Sequence, residues 1–471
     1  MLNLSRVAEQ NPWWHEPGAI EQDFHVRAFE ASPVKWEPLE IGAFCFDTDA
    51  VYTLRGPRQV GKTTLLKLLI RRLWRTGWRP VRLCYFSCDL ASDYRELADA
   101  VGAYLRWARE RTAERLAVFL DEVSFVERWQ RAVKYLWDRG ELQRATLLLT
   151  GSHALDIRRG AELLPGRRGE RHDVDHLLLP LDFRGFWNAT RPNQPLDTPH
   201  LDDEALWDLS RGHIEPFLPL AAWAGVAEPA LQDYLLAGGF PLSVRCLPEG
   251  AIPPHVYQTY LHWVRGDFLK LGKAETYLRA LLARIIEVQS TPVSWQSLAG
   301  GTAVGSHHTV QEYVEALEAC FAVRTLYRYN PAKDRGFLGK NRKIYFTDPF
   351  LYHAFNGWIR GTVDIHAAAR AALTDPGLAG KLVEAAVIEH AARLFPERVY
   401  YWRNRVEVDL AVKTPHGLVP VEVKFQGQVG RHDVKPLKQM GGGILVSRDA
   451  FLLLDGIPVL PAALFLALLS R

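Results

Sequence analysis

Apolar positions along this chain change texture three times. Between residues 51 and about 188, short apolar runs at 51–54, 81–86, 116–120, 146–149 and 174–179 alternate with longer stretches of helical spacing. The runs are continuous rather than alternating, which is how strands read when both faces of a sheet are covered, so this region predicts a parallel sheet with helices on both sides. Beyond Pro192-Asn193-Gln194-Pro195 the pattern turns helical, interrupted by a tight turn at Gly238-Gly239-Phe240-Pro241. Between 280 and 350, a short helix begins at Ser294, a second runs from about His308 to Phe321 with Ser306 as its cap, and strands follow at 323–327 and 343–346, the order of a winged helix. Near the C-terminus, residues 406–412 alternate apolar and polar, turn at Thr414-Pro415-His416-Gly417 and return over 419–425 as a hairpin.

These changes divide the chain into an N-terminal arm (1–50), a nucleotide-binding core (51–195), a helical lid or connector (196–279), a winged-helix segment (280–350) and a C-terminal α/β segment (351–471). The fold class expected is α/β. The arm carries Asn11-Pro12-Trp13-Trp14, whose indoles either dock it on the core or stack on a base.

Composition refines this outline only slightly. At 471 residues the chain exceeds one hydrophobic core, and about three domains of ordinary size are expected. Hydrophobic content of 48% and charged content of 24% are globular values, and the formal charge of +3 permits a nucleic-acid partner without arguing for one. The five cysteines are scattered, as reduced thiols are, and no leader pattern or membrane-length apolar run appears. The expectation is a soluble cytoplasmic protein with no membrane partner.

The most specific chemistry lies at Gly56-Pro57-Arg58-Gln59-Val60-Gly61-Lys62-Thr63-Thr64, which fits G-x-x-x-x-G-K-[ST] between a strand and a helix. Glycines let successive N–H groups turn toward phosphate oxygens, and the helix start adds its positive dipole end. Lys62 then reaches the terminal phosphates of ATP, and Thr63 holds Mg²⁺. The run at 116–120 ends in Asp121-Glu122. A carboxylate pair at a strand's C-terminal edge suits a metal-holding Asp121 and a water-polarising Glu122, although the same pair could cap a helix. Thr150-Gly151-Ser152 closes another strand and offers hydroxyls to a phosphate or to a helix start. The arginine-dense stretch 160–171 offers a charge-neutralising arginine or is a solvated loop.

A second constellation sits on the C-terminal hairpin. By the two-residue period of a strand, Glu407 and Asp409 share a face, as do Glu422 and Lys424, so Asp409 and Glu422 can meet with Lys424 beside them. Two carboxylates suit a hard divalent ion, a neighbouring lysine can orient an attacking water, and Glu384 on an upstream helix is a further ligand. A solvent-facing hairpin laced with ion pairs would have the same sequence. On the winged-helix segment, Glu312, Glu315 and Glu318 make one helix acidic, whereas Lys333, Arg335, Lys340, Arg342 and Lys343 make the hairpin basic.

Together, GPRQVGKTT at 56–64, LDE at 120–122, TGS at 150–152, LLPGR at 163–167, PLDF at 180–183, GGFP at 238–241, KIYFTD at 343–348, YWR at 401–403, EVDLAV at 407–412 and VEVKF at 421–425 carry a resemblance. The chain resembles prokaryotic AAA-type ATP-binding proteins whose C-terminal half joins a winged helix to a restriction-endonuclease-like, PD-(D/E)xK-type domain. The resemblance implies a P-loop ATPase core with Asp121 and Glu122 as its acid pair and Ser152 as a sensor. It also implies a nuclease-like site of Glu384, Asp409, Glu422 and Lys424, with DNA as partner. Hexameric relatives complete the ATP site with a neighbour's arginine, for which Arg167 is the candidate here, so a homo-oligomer is a further expectation. Two functions follow: an ATPase that handles or cleaves DNA with Mg²⁺, or a nucleotide-gated switch whose C-terminal fold binds without cutting.

Overall fold

A computed structural model of the protein describes residues 4–151, 157, 160–302 and 304–471, which form two compact units, 1–179 and 180–471. In the first unit five strands, β1 (Ala50–Arg55), β2 (Leu83–Ser87), β3 (Leu116–Asp121), β4 (Ala145–Gly151) and β5 (Asp175–Leu177), pair in parallel in the order β2-β3-β4-β1-β5. Strand β3 shows why its sequence carries no polar alternation. Leu116, Val118 and Leu120 enter one hydrophobic core while Ala117 and Phe119 enter the other, so each face of the sheet is apolar. Helices Tyr94–Arg109 and Gln130–Asp138 cover the first face, and Lys62–Arg75 covers the second.

Strand β2 lies at the edge of the sheet, where unpaired peptide groups need cover. The N-terminal arm supplies that cover with side chains instead of another strand. Asn11 accepts from the Tyr85 N–H at 2.6 Å and donates to the Tyr85 carbonyl at 2.8 Å. Trp13 and Trp14 both donate to the Leu83 carbonyl, and Gln10 accepts from the Ser87 N–H. Trp14 also stacks on Tyr104 and Trp107. Both indoles are therefore engaged within the unit, which is the docking role and not base stacking.

The second unit holds a six-stranded mixed sheet built from β10 (Val399–Arg403), β11 (Glu407–Thr414), β12 (Gly417–Lys424), β13 (Ile444–Ser447), β14 (Leu452–Leu454) and β15 (Ile457–Pro461), in the order β10-β11-β12-β13-β15-β14. Before it come helices Trp295–Ala299 and His307–Ala319, capped by Ser294 and Ser306, then an antiparallel pair of β6 (Val323–Tyr327) and β9 (Arg342–Phe346), with the short strands β7 (Tyr329–Asn330) and β8 (Arg335–Gly336) between. The apolar C-terminus forms β15 and the buried helix Ala462–Leu469. No helix among the described residues is long and apolar enough to cross a membrane.

Three of the sequence motifs prove to be one structural knot. Gly239 donates to Asp348 at 2.8 Å and its carbonyl accepts from Leu181, so GGFP, KIYFTD and PLDF meet. A Cβ on Gly238 would stand 1.8 Å from the Asp348 carboxylate and one on Gly239 2.0 Å from the Leu181 carbonyl, which is why glycine occupies both positions. Phe183 of the same knot donates its N–H to Nε2 of His390 at 2.9 Å, so the His390 proton sits on Nδ1, facing the Ala386 carbonyl. Residues 180–190, which the sequence pattern groups with the nucleotide-binding core, thus pack within the second unit.

Two predictions follow from this packing. Asn11→Leu removes both partners of Tyr85 at a buried edge, so denaturant unfolding of the parent and the variant should differ by about 2–4 kcal/mol. In the second unit, burial pushes His353 and His390 down to about 4, with Arg393 adding to the effect at His390. The unfolded chain then takes up protons first, so the stability these groups contribute is present above pH 6.5 and is lost as pH falls toward 4, by roughly 2 kcal/mol each at pH 5. Asp348, pushed up to about 6 by burial, acts in the opposite sense and is common to the parent and His390→Asn. The variant's stability should accordingly depend less on pH between 7 and 5, as measured by urea unfolding at each pH.

Candidate functional site

At the C-terminal edge of the first sheet, β1 and β3 deliver their polar residues to one place. The loop after β1 holds Gln59 and Gly61 at positive φ, 61° and 99°, and a Cβ on Gly56 would lie 2.0 Å from the Leu178 carbonyl, so the glycines of the motif are steric requirements. Lys62, 5% exposed, donates to the carbonyls of Gly56 and Pro57 at 3.1 and 2.9 Å and lies 3.6 Å from Glu122. Burial pushes its ammonium down from the ordinary lysine value, and Glu122 and Asp121 work against that. Lys62 opens the helix Lys62–Arg75, whose first amides and dipole face the loop.

Asp121 is 3% exposed and collects three hydroxyls: Thr63 at 2.6 Å and Tyr85 at 2.9 Å on one oxygen, Thr150 at 2.5 Å on the other. Glu122 stands next to it in the left-handed region, φ 52°, with its N–H donating to the Thr150 hydroxyl. That conformation turns its carboxylate out of the strand and toward Lys62. The donor set fits Mg²⁺: one hydroxyl and one acid, leaving most positions to water and phosphate oxygens, is how this ion is usually held with a nucleotide. Loop amides and a buried ammonium fit a triphosphate.

Gly56, Pro57, Arg58, Gln59, Val60, Gly61, Lys62, Thr63 and Thr64 thus form one loop and helix start, which the structure brings together with Asp121 and Glu122. Ser152 lies outside the described residues. Arg167 is placed elsewhere. It holds Asp138 through Nε at 2.7 Å and Nη2 at 3.3 Å, and its neighbour Arg168 accepts from the N–H of Val51 at the start of β1, the edge of the sheet opposite the loop. Arg167 therefore lies away from the phosphate loop of its own chain, and the role expected of it is toward a neighbouring copy. Tyr85 was missed from sequence because a tyrosine inside an apolar strand reads as core; its phenol beside the strand that ends in Asp121 was the available signal.

In the second unit the hairpin pairs Leu410 with Val421, which places Asp409 across from Glu422. The Asp409 N–H reaches a Glu422 oxygen at 3.4 Å, Val423 donates to Asp409 at 3.2 Å, and Lys424 pairs with Glu422 at 2.7 Å. Glu384 faces them from the helix Pro376–Leu394. Lys343, expected on a basic surface hairpin, meets these acids instead. This residue of β9, 1% exposed, sets its ammonium 3.0 Å from Asp409, 3.4 Å from Glu407 and 3.5 Å from Glu384. Burial pushes Lys343 down, but the carboxylates of Asp409, Glu384 and Glu407 outweigh it and hold the ammonium above its ordinary value. Tyr345 donates to Glu384 at 2.6 Å.

Glu384, Asp409 and Glu422 were expected to hold a metal. Among the described residues no group of three or more His, Cys, Asp or Glu is arranged to do so. The Lys343 ammonium stands where Glu384, Glu407 and Asp409 converge, and Glu422 is turned to Lys424. The basic hairpin divides into a buried and an exposed part. Arg342 is buried against the Trp295 ring at 4.1 Å and Lys343 is buried among acids, which leaves Lys333, Arg335 and Lys340 exposed.

Since Tyr85 holds Asp121 without lining the phosphate loop, Tyr85→Phe should raise the Mg²⁺ concentration needed for half-maximal nucleotide hydrolysis several-fold. Nucleotide affinity measured without Mg²⁺ should stay at the parent value.

Residues 48–187 match the family model of an AAA domain (AAA_14), residues 228–361 that of a domain of unknown function (DUF8612), and residues 379–453 that of another (DUF4143). An uncharacterized protein of Haemophilus influenzae is 25% identical over 308 residues, 64% of this chain and 68% of that protein. Among solved structures, the Walker-type ATPase paby2304 of Pyrococcus abyssi is similar at 12% identity, covering 65% of this chain and 91% of that one with a TM-score of 0.37. The Aeropyrum pernix ORC1 protein in complex with DNA is similar at 14% identity, covering 80% and 94% with a TM-score of 0.29. The chain carries an AAA domain of the P-loop ATPase family, followed by two domains of unknown function.

Proposed function

We propose that this protein binds ATP with Mg²⁺, hydrolyses it, and uses the nucleotide state as a switch on a second unit that binds without cutting. The observation that carries the ATPase reading is the convergence of Lys62, Thr63, Asp121 and Glu122 at one sheet edge. Lys62, released from the Gly56 and Pro57 carbonyls, is available to phosphate oxygens. Thr63 and Asp121 would hold Mg²⁺, whose contribution is to neutralise phosphate charge. Glu122, aimed at Lys62 and not at the apolar core, is the group positioned to polarise a water for in-line attack.

For the second unit, the ammonium of Lys343 among Glu384, Glu407 and Asp409 favours the non-cleaving alternative over Mg²⁺-dependent DNA cleavage. DNA is the partner proposed, through phosphate contacts at Lys333, Arg335 and Lys340. Such contacts position a duplex without reading its bases. On the helix before them, Glu312 pairs with Lys273 and Glu318 accepts the Thr325 N–H, so that helix is committed within the unit and is not a base reader.

The test pairs two variants with one substrate. Lys62→Ala should lose both ATP-dependent thermal stabilisation and phosphate release, whereas Glu122→Gln should keep the stabilisation and lose turnover by a factor of 10² or more, in keeping with roughly 10²–10⁴ for a positioned base. Labelled duplex DNA should change affinity between ATP and ADP in the parent and not in Lys62→Ala. Plasmid incubated with ATP and Mg²⁺ or Mn²⁺ should stay intact. Cleavage that Asp409→Ala abolishes would overturn the non-cleaving reading, and normal hydrolysis by Lys62→Ala would overturn the ATPase assignment.

A further inference from the structure

The carboxylate nest of the second unit raises a question that its sequence does not. Why would a chain let Glu384, Glu407 and Asp409 converge on one buried point? Lys343 supplies a physical answer. Its ammonium is fully covered and lies within 3.5 Å of oxygens from Asp409, Glu407 and Glu384, which come from a strand and a helix. Three acids converging on one buried point need positive charge there, whether it arrives as an ion or as a side chain.

We infer that Lys343 is the resident cation of this nest, standing in the position of a divalent ion, and that removing its charge exposes a site for a hard divalent cation on Glu384, Asp409 and Glu407. The inference rests on the non-cleaving reading of the second unit and deepens it. The oxygens around Nζ stand at 3.0–3.5 Å, and a divalent ion draws oxygens to roughly 2.0–2.6 Å. A modest contraction around a smaller, doubly charged centre therefore converts the nest into a metal site. While the ammonium is present, a divalent ion would have to displace it from all three acids.

The lysine is also held against withdrawal. Its neighbour Arg342 stacks on Trp295, Tyr345 two residues on donates to Glu384, and Arg324 on the paired strand β6 binds Glu389 at 2.6 Å. Glu389 lies on the same helix as Glu384 and is bound by Arg393 as well. Strands β6 and β9 are thereby locked to the helix that carries one wall of the nest. Lys343 is a fixed part of the fold and not a lid.

The experiment uses the full chain without nucleotide, with Mn²⁺ as the probe. In the parent, calorimetric titration should detect no Mn²⁺ binding that Asp409→Asn removes. Lys343→Met and Lys343→Gln should each bind Mn²⁺ in a 1:1 ratio, and Mn²⁺ at about a hundredfold over its dissociation constant should raise their melting temperature by roughly 5 °C. Adding Asp409→Asn to either variant should abolish both effects. If the parent binds Mn²⁺ through Asp409, or if neither lysine variant is stabilised by Mn²⁺, the inference is overturned. Plasmid cleavage by the parent is a separate readout and bears on the non-cleaving reading alone.

Discussion

The Asp121 carboxylate is the point on which the first unit turns. Every other side chain of β3 from Leu116 to Leu120 is spent on one of two apolar cores, so the strand can present a polar group only where it runs out of sheet. There the neighbouring strands and the loop helix each contribute a hydroxyl, from Tyr85 on β2, Thr150 on β4 and Thr63 on the helix start. A buried carboxylate without such donors would cost several kcal/mol. With them, it fixes the spacing between the phosphate loop and the acid pair. The order of strands, with β4 between β1 and β3, is what makes the three donors available from different sides.

The N-terminal arm serves the same end less directly. By pairing with the outer edge of β2 it holds the strand that carries Tyr85, and Asp23 of the arm binds Lys67 at 3.2 Å beneath the Tyr85 ring. A line of contacts thus runs from the arm to the acid pair through one aromatic side chain. The tryptophans that look from sequence like candidates for a base are committed to this edge.

Much of this was legible in the amino-acid sequence where a motif and a period agreed. The phosphate loop, the acid pair, all five strands of the first sheet and both helix caps at Ser294 and Ser306 follow from local chemistry, because each depends on residues adjacent in the chain. What escaped depends on partners brought from far away. Lys343 meets Asp409 across 66 positions, and KIYFTD reads only as a strand until its neighbours are known. Arg342 and Lys343 look like a basic surface because a strand buried on both sides gives no sequence sign when its counter-charges lie elsewhere. The glycines at 238 and 239 read as a turn, which they are, but the reason for them is the Asp348 carboxylate.

The two acid clusters differ in what neutralises them, and that difference separates their capacities. Asp121 is held by three neutral hydroxyls, with Lys62 shared between loop carbonyls and Glu122, so the site keeps negative charge that an exchangeable cation can meet. In the second unit the counter-charge is covalently part of β9, and the acids around it cannot release it without unpacking the hairpin. Exchange requires a mobile counter-ion. Hydroxyls neutralise the first cluster and a side chain of the fold neutralises the second, so the first is the one suited to an exchangeable ion.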